Sequence, residues 1–417
     1  MPIDSHLDYL QKHAVSPPQI VEPPHPDLRV VVVVRYLEDA VLREFIGEIA
    51  AIAPPKGAME VIAVSDQGDL ASIRQFLEGK NAANDSLPVT SPAHVAARRC
   101  FALDLANLPT QHIGEGMMLK VGMDEAVSRF RLAGRDDGLI VVLEAGNICP
   151  TDFLVVVQDE FARHPKVQTM GVETRYEPSS LHPEMADALI RIRLSEHLLV
   201  AGLRFCGHPY AFPMMEIGFA VHASAYQAQM GMNRRKQGAT FDFLQKFVEL
   251  GAHRHCTATA VAARSVATNI PRFEIGFAIW EYWKSPNPDY PVFASESFFA
   301  LKTGLEQLRS WFGMAEAELQ AALAQFSEGF RQFMQTQGFV AKVLEMKRYT
   351  KTAEAFEKRF HRWFNSLKTL QYFQYCRDHH WPDRPIVDVG NELAAWMAGG
   401  SVGEMTLEEL VMHFGRA

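Results

Sequence analysis

Short apolar runs and helical stripes alternate along the first half of the chain. Four runs rich in branched residues are predicted to be strands: 28–34, 59–64, 139–143 and 167–173. Runs of this kind are typical of parallel strands that are buried on both faces. Between them, Asp39–Ala51 has apolar positions at the helical period, and residues 116–132 are predicted to form a helix with charges of both signs. This order predicts a mainly parallel α/β sheet covered by helices on both faces.

The pattern changes toward both ends of the chain. Residues 15–27 contain five prolines and neither structural period, so we predict residues 1–27 to be an extended, proline-rich arm. Residues 78–113 are irregular and are interpreted as an insertion. From residue 295 onward the apolar positions follow the helical period. We therefore predict an α/β domain over residues 28–294 and a helical region over residues 295–417.

Composition excludes several classes of protein. The net charge of −8 argues against nucleic acid as a main partner, because phosphate binding needs an excess of Lys and Arg. The five cysteines are odd in number and include no Cys-x-x-Cys pair, which favours a reducing compartment and hence the cytoplasm. No stretch reaches the roughly 18 apolar residues of a transmembrane helix. The aromatic C-terminal helices leave peripheral contact with a membrane open.

Polar and aromatic residues follow the predicted strands. Tyr36 and Glu38 come after the first strand, Asp66 after the second, and Glu144 after the third. Ligands of parallel α/β sheets bind beyond the carboxyl ends of the strands. We therefore expect these four side chains to gather at one edge of the sheet.

Several segments, in their order along the chain, resemble known proteins. They are VRYLE at 34–38, GMMLKVG at 116–122, GMDEAVSRF, GLIVVLEA, PYAF, FAVHASAY, GMNRRKQGATFDFLQK and RWFNSLKTLQYFQYCRDHHWPDRP. Together they resemble family 2 glycosyltransferases of the GT-A fold, and more closely a bacterial subgroup with a helical C-terminal region. The resemblance covers roughly residues 28–395, and the order of the segments is more specific than any one of them.

The resemblance implies a donor, an acceptor and a set of site residues. The donor would be a nucleotide-diphosphate sugar, and the acceptor a glycan or a lipid-linked molecule. The implied donor-binding residues are Tyr36, Glu38, Asp66, Lys120 and Asp124. The basic triplet Arg234, Arg235 and Lys236 could bind the diphosphate electrostatically, or could be a solvated surface turn. A divalent metal, Mn²⁺ or Mg²⁺, would be held by Glu144 and Asn147. Without the family context, the same residues are ordinary loop and surface residues.

The sequence departs from the family at two positions that carry its chemistry. Gly146 stands where the second metal-binding carboxylate is expected, and Thr240 stands where the presumed catalytic aspartate is expected. Asp242 is the nearest carboxylate to the second position. On a helix it would point about 200° away, so it could act as the base only if this stretch were not helical.

Two functional hypotheses follow from the retained and the lost positions. The first is an active glycosyltransferase that either needs no metal, since fixed cations can neutralise a diphosphate, or holds the metal with relocated ligands. The second is a catalytically inactive homologue that binds a nucleotide-sugar or glycan, or that is a scaffold for an active glycosyltransferase partner. A homo-oligomer is compatible with both.

Overall fold

The computed structural model describes residues 5–15, 17–36, 38–65, 69–85, 98–105, 108, 113–176, 182–213, 218–263 and 274–415. The chain forms two compact units, and each is assembled from two segments. The first comprises Met1–His182 and Met214–Phe277, and the second comprises Pro183–Pro213 and Ala278–Ala417. This division differs from a boundary at residue 294, because one long helix within the α/β segment packs into the second unit.

An eight-stranded mixed sheet forms the centre of the first unit. Its strands are β1 (Leu28–Arg35), β2 (Ala58–Val64), β3 (Arg98–Leu103), β4 (Leu139–Glu144), β5 (Asn147–Ile148), β6 (Thr169–Tyr176), β7 (Gly218–His222) and β8 (His253–Ala263). Their order is β3-β2-β1-β4-β7-β6-β8-β5. The β1–β2, β1–β4, β2–β3 and β6–β8 pairs are parallel, whereas β7 runs antiparallel to β4 and β6, and β5 to β8. The four predicted strands are confirmed within a few residues.

Helices accompany the sheet of the first unit. They are α1 (Ser5–His13), α2 (Asp39–Ala51), α3 (Leu70–Asp85), α4 (Glu115–Leu132), α5 (Phe153–Arg163), α7 (Ala223–Ala228) and α8 (Ala239–Glu249). The helix that joins the second unit, α6, is Pro183–Phe205, and α9 is Glu274–Lys284. The predicted helices α2 and α4 are confirmed at their expected positions.

The continuous apolar run of β1 is explained by cover on both faces. Val32 and Val34 belong to one apolar cluster with Phe45 of α2. Val33 faces the opposite side of the sheet, where its side chain packs against Gly122 of α4. A Cβ added at Gly122 would lie only 2.5 Å from a Val33 methyl group. Since alternate residues of a strand point to opposite faces, both sets must be apolar.

Two expectations about irregular segments are wrong. Part of the presumed insertion is regular: α3 extends to Asp85, and β3 pairs in parallel with β2 at an edge of the sheet. The proline-rich arm forms neither helix nor strand from Pro17 to Asp27, but Ser5–His13 before it is helical. β3 begins with Arg98 and Arg99, and two charges at the start of a strand hide its apolar pattern.

The second unit is built from α6 and the helices that follow residue 278. After α9 these are α10 (Ser295–Glu306), α11 (Leu308–Trp311), α12 (Glu316–Ala324), α13 (Glu328–Thr336), α14 (Phe339–Arg348), α15 (Ala353–Trp363), α16 (Ser366–His379), α17 (Ile386–Met397) and α18 (Leu407–Phe414). Leu194 and Leu198 of α6 share one core with Trp311, Phe330 and Tyr372. The helical C-terminal region is therefore confirmed, and α6 completes its core. Among the described residues, no helix combines the length and apolar composition needed to cross a membrane.

A buried histidine pair makes the second unit sensitive to acid. His208 Nδ1 accepts a hydrogen bond from the Tyr210 amide, and its Nε2 lies 2.9 Å from Thr369 Oγ1. Burial, together with the nearby ring of His361, lowers the pKa of His208 to about 3. Burial also lowers the pKa of His361 to about 4. Both rings are therefore neutral in the folded state near neutral pH.

We expect the second unit to lose stability as the pH falls from 6.5 toward 3. In this window the unfolded chain binds protons that the folded histidines do not, so unfolding takes up protons and lower pH favours it. The loss at pH 5 is on the order of 1–2 kcal/mol per histidine. The midpoint of thermal unfolding should differ less between pH 7.5 and pH 5.0 for His208→Gln than for the wild type. The exposed His413 provides the control, since His413→Gln should leave the difference unchanged.

Candidate functional site

An ion pair closes the carboxyl ends of the two central strands. Arg35, the last residue of β1, is the register partner of Glu144, the last residue of β4. The guanidinium of Arg35 donates to the Glu144 carboxylate, and both side chains are mostly buried. Strand alternation places Arg35 on the same face as Val33, which lies under α4. The implied metal ligand Glu144 is therefore already paired with a cation of the chain itself.

A tight turn follows Glu144. The Asn147 side-chain oxygen accepts a hydrogen bond of 2.8 Å from the Glu144 amide, and Asn147 is buried. Gly146 within this turn has a φ of 94°, a conformation that residues with a Cβ rarely adopt. The glycine at the expected second carboxylate position therefore has a structural reason, because the turn requires it.

These residues do not fit a divalent metal. Mg²⁺ and Mn²⁺ prefer several oxygen ligands with negative charge. Here the one carboxylate is neutralised by Arg35, and the one amide oxygen is occupied by the Glu144 amide. Within the described ranges, no group of three or more His, Cys, Asp or Glu side chains is arranged to hold a metal ion.

The first turn of α4 reaches the same edge of the sheet. Gly122 contacts Val33 and Val64 near the ends of their strands, and Glu115 lies roughly 10 Å further along the helix axis. The amides of Glu115 and Gly116 donate to the carbonyls of Lys236 and Arg235, at 3.1 and 2.9 Å. These bonds dock the basic segment 234–236, whose three side chains are exposed, against the start of α4.

Glu115 caps the neighbouring helix α8. Its carboxylate accepts hydrogen bonds from the amides of Ala239 and Thr240, at 2.7 and 3.1 Å, and from the Thr240 hydroxyl at 2.6 Å. Glu115 is 3% exposed and Thr240 is 8% exposed. An anion at a helix N-terminus satisfies donors that lack a partner within the helix. The position expected to hold a catalytic aspartate thus holds a hydroxyl donor bound to a carboxylate 125 residues away.

Asp242 lies in the first helical turn of α8, so its stretch is helical. Its carboxylate forms an ion pair of 2.5 Å with Arg235 and remains partly exposed. Desolvation raises the pKa of Asp242, the Arg235 charge opposes this, and the negative charge of Glu115 adds to it. Asp242 was expected to act as the base only from a non-helical stretch, and this stretch is helical. The assignment of Asp242 as the base stays a prediction.

Lys120 and Asp124 are buried beneath α1. Lys120 Nζ lies 3.1 Å from Asp124 Oδ2, and the two side chains are 3% and 4% exposed. The hydroxyls of Tyr9 and Tyr226 both donate to Asp124 Oδ1, at 2.7 and 2.8 Å. In this arrangement neither charged side chain faces the exposed edge, and their role toward a donor stays a prediction.

Of the remaining predicted residues that the structure describes, Tyr36 is buried and Glu38 is exposed. Tyr36 is 2% exposed and belongs to the apolar cluster that includes Val34 and Phe45. Burial, with the charge of Asp39, raises its pKa to about 12. Glu38 is exposed and precedes α2 as its N-cap residue. Asp66 lies outside the described residues.

Four residues that sequence reasoning missed organise this region: Tyr9, Arg35, Glu115 and Tyr226. Arg35 carried a signal, because a charge directly after five valines marks the end of a buried strand. Glu115 carried a weaker one, as an acidic residue directly before a predicted helix. Tyr9 and Tyr226 carried none, since their partner Asp124 is more than 100 residues away from each.

Among known proteins, the chain has a similarity to solved structures. No protein-family model matches the chain, and no curated protein matches it. Among solved structures, the chain is similar to the mannosyltransferase PcManGT from Pyrobaculum calidifontis, solved in complex with GDP-Man and Mn²⁺. The identity is 14%, the TM-score is 0.37, and the match covers 87% of this chain and 93% of that one.

Proposed function

We propose that this chain is a glycosyltransferase-like protein that binds a nucleotide-diphosphate sugar at the carboxyl edge of β1, β2 and β4 without a divalent metal. The observation that carries the proposal is the Arg35–Glu144 ion pair. The carboxylate expected to hold a metal ion holds a guanidinium instead. With this carboxylate occupied, other fixed cations at this edge would have to stabilise the negative charge of a diphosphate, as a metal ion does.

Further cations support a diphosphate site at this edge. Arg234 and Lys236 are exposed beside the first turn of α4, and Arg235 is held by Asp242. The backbone of the segment is fixed by hydrogen bonds to Glu115 and Gly116, so its side chains start from an ordered position. A preorganised cationic segment loses less entropy on binding than a mobile one.

Catalysis of transfer is a separate question from binding. Thr240 cannot accept a proton near neutral pH, and its hydroxyl donates a hydrogen bond to the Glu115 carboxylate. This observation favours the second candidate function, a catalytically inactive nucleotide-sugar or glycan binder or a scaffold. If the chain does transfer a sugar, Asp242 is the partly exposed carboxylate beside the basic segment, and it would have to act from a helix that turns it away from the position of the presumed base. The acceptor in that case would be a glycan or a lipid-linked molecule in the cytoplasm.

Calorimetric titration tests the binding proposal. We expect UDP, GDP or their sugars to bind with the same affinity in EDTA as in Mn²⁺. Replacing Arg234 and Lys236 together by alanine should weaken binding by about 10- to 100-fold, since one hydrogen bond to a charged group contributes about 1.5–3 kcal/mol. Lys166→Ala is the matched control, because Lys166 is an exposed cation before β6, at the opposite edge.

The same titrations separate the hypotheses. Binding only in Mn²⁺ would contradict the metal-independent site, and no binding of any nucleotide would contradict the donor site altogether. Incubation of the protein with the bound nucleotide-sugar then distinguishes the two candidate functions. Release of the nucleoside diphosphate indicates a transferase, whereas binding without turnover indicates the inactive homologue.

A further inference from the structure

Tyr9 is the central residue of a buried polar group formed by three separate parts of the chain. Its hydroxyl donates to Asp124 Oδ1 at 2.7 Å and accepts from Lys120 Nζ at 3.0 Å. Tyr226 donates to the same Asp124 oxygen at 2.8 Å, and its ring lies edge-on to the Tyr9 ring. A single hydroxyl of α1 therefore contacts both members of a Lys–Asp pair.

This pair is suited to alcohol groups. A carboxylate that accepts a hydrogen bond and an ammonium that donates one can both bind one hydroxyl, as they bind the phenol of Tyr9. Gly231 leaves the room that the hydroxyl needs, because a Cβ there would lie 2.0 Å from the Tyr9 oxygen and 3.1 Å from Lys120 Nζ. The group thus has the features of a small binding site that Tyr9 fills.

We propose that Lys120, Asp124 and Tyr226 form a subsite for a sugar hydroxyl, and that Tyr9 closes this subsite until α1 is displaced. This inference rests on the proposed function for the identity of the full ligand. Gly231, which lies beside the Tyr9 hydroxyl and Lys120 Nζ, precedes Arg234 by three residues, and the Arg235 carbonyl accepts a hydrogen bond from the Gly116 amide, about one helical turn before Lys120. The subsite therefore adjoins the basic segment, and one ligand with hydroxyl and phosphate groups can use both.

The attachment of α1 is weak enough for displacement. Among the α1 side chains that the structure describes, Tyr9 alone is buried. The helix has nine residues, and helices shorter than about 12 residues are marginal in water without tertiary contacts. A cavity of about 260 Å³ remains under α1 and the following residues, lined by Leu10, Ala14, Val15, Pro17, Pro18, Asp124 and Glu125.

The arm after α1 is held more firmly. The amides of Gln19 and Ile20 donate to the Glu125 carboxylate, at 2.8 and 3.3 Å. The Gln19 carboxamide also exchanges two hydrogen bonds with the backbone of Asp104, at 2.9 and 2.7 Å. Displacement of α1 can therefore stop at Gln19, and the rest of the arm keeps its contacts with α4 and β3.

Three variants of the full chain test the subsite: Tyr9→Ala, which opens it, Tyr9→Phe, which keeps the ring but removes the hydroxyl, and Gln11→Ala, a control at an exposed position of α1. We expect Tyr9→Ala to bind UDP-glucose or GDP-mannose on the order of tenfold more tightly than the wild type, because no phenol has to be displaced. Tyr9→Phe should show a smaller gain, and Gln11→Ala none.

Acylation of Lys120 with an amine-reactive ester, followed by mass spectrometry, gives an independent measurement. Lys120 should be protected in the wild type and in Gln11→Ala, and reactive in Tyr9→Ala. Unchanged protection in Tyr9→Ala would overturn the proposal. If the wild type binds nucleotide-sugars and Tyr9→Ala binds them with unchanged or weaker affinity, the proposal is also overturned. That result would show that Tyr9 is only a structural residue.

Failure of the proposed function gives a different result. In that case no variant binds any nucleotide-sugar, and the subsite is judged by the acylation of Tyr9→Ala in the presence of free mannose or glucose. Protection of Lys120 by these sugars supports the subsite without a nucleotide site. Lack of protection at any sugar concentration overturns it.

Discussion

Arg129→Met is expected to lower the free energy of unfolding of the first unit by about 3–5 kcal/mol, as for other buried ion pairs that lose one partner. Arg129 is fully buried and contacts Glu60 of β2 through two hydrogen bonds of 2.7 and 2.6 Å. It also donates to the carbonyl of Glu22 in the arm. Methionine fills much of the same space but leaves the Glu60 carboxylate buried without a compensating charge.

Denaturant unfolding of paired variants checks this result. Arg135→Ala is the control, because Arg135 also contacts the arm, through Asp27 at 2.9 Å, but is about 30% exposed. Its loss should cost about 1 kcal/mol or less. Adding Glu60→Met to Arg129→Met should recover part of the stability, since the uncompensated charge is then removed. A loss below about 1 kcal/mol for Arg129→Met would contradict the role assigned to the ion pair.

Thr240→Asp is expected to destabilise the first unit by a similar amount, about 3–5 kcal/mol. The substitution restores the carboxylate that the family resemblance expects, but the Thr240 hydroxyl lies 2.6 Å from a Glu115 oxygen. Two buried carboxylates at this distance repel each other and cannot both be charged at low cost. Restoring the presumed base alone should therefore damage the fold rather than create activity.

Two further variants isolate the charge effect. Thr240→Val keeps the shape without the charge and should cost only about 1 kcal/mol, the contribution of one hydrogen bond. Combining Thr240→Asp with Glu115→Gln should recover most of the stability, because only one carboxylate remains. If Thr240→Asp and Thr240→Val lowered the stability equally, repulsion between Glu115 and a second carboxylate would not contribute to the loss.

The two altered motif positions have different structural causes. Gly146 is required by a turn with a φ of 94°, and its neighbours Glu144 and Asn147 are engaged by Arg35 and by the backbone. Thr240 is part of a helix cap that joins α4 to α8. Both residues are thus part of the local structure. A single substitution to aspartate at either position would place the carboxylate among contacts that differ from those the family pattern implies.

The sequence by itself determined the parts of the fold that depend on local pattern. The four strands follow from short continuous apolar runs, and α2 follows from apolar positions at the helical period. The helix α4 was predicted as a helix with charges of both signs. Gly146 and Thr240 were also visible as departures from a motif. The weak strand β3 and the helix α1 were missed, since neither has a clear apolar pattern.

Only the tertiary structure decided how the charged residues of α4 are used. Glu115 binds Thr240 across 125 residues, Asp124 binds Tyr9 across 115, and Arg129 binds Glu60 across 69. A helix with charges of both signs resembles a solvated surface helix in sequence, yet α4 is buried along nearly its whole length. Whether such a charge faces solvent, a ligand or another side chain depends on distant segments, and periodicity within one helix carries no information about them.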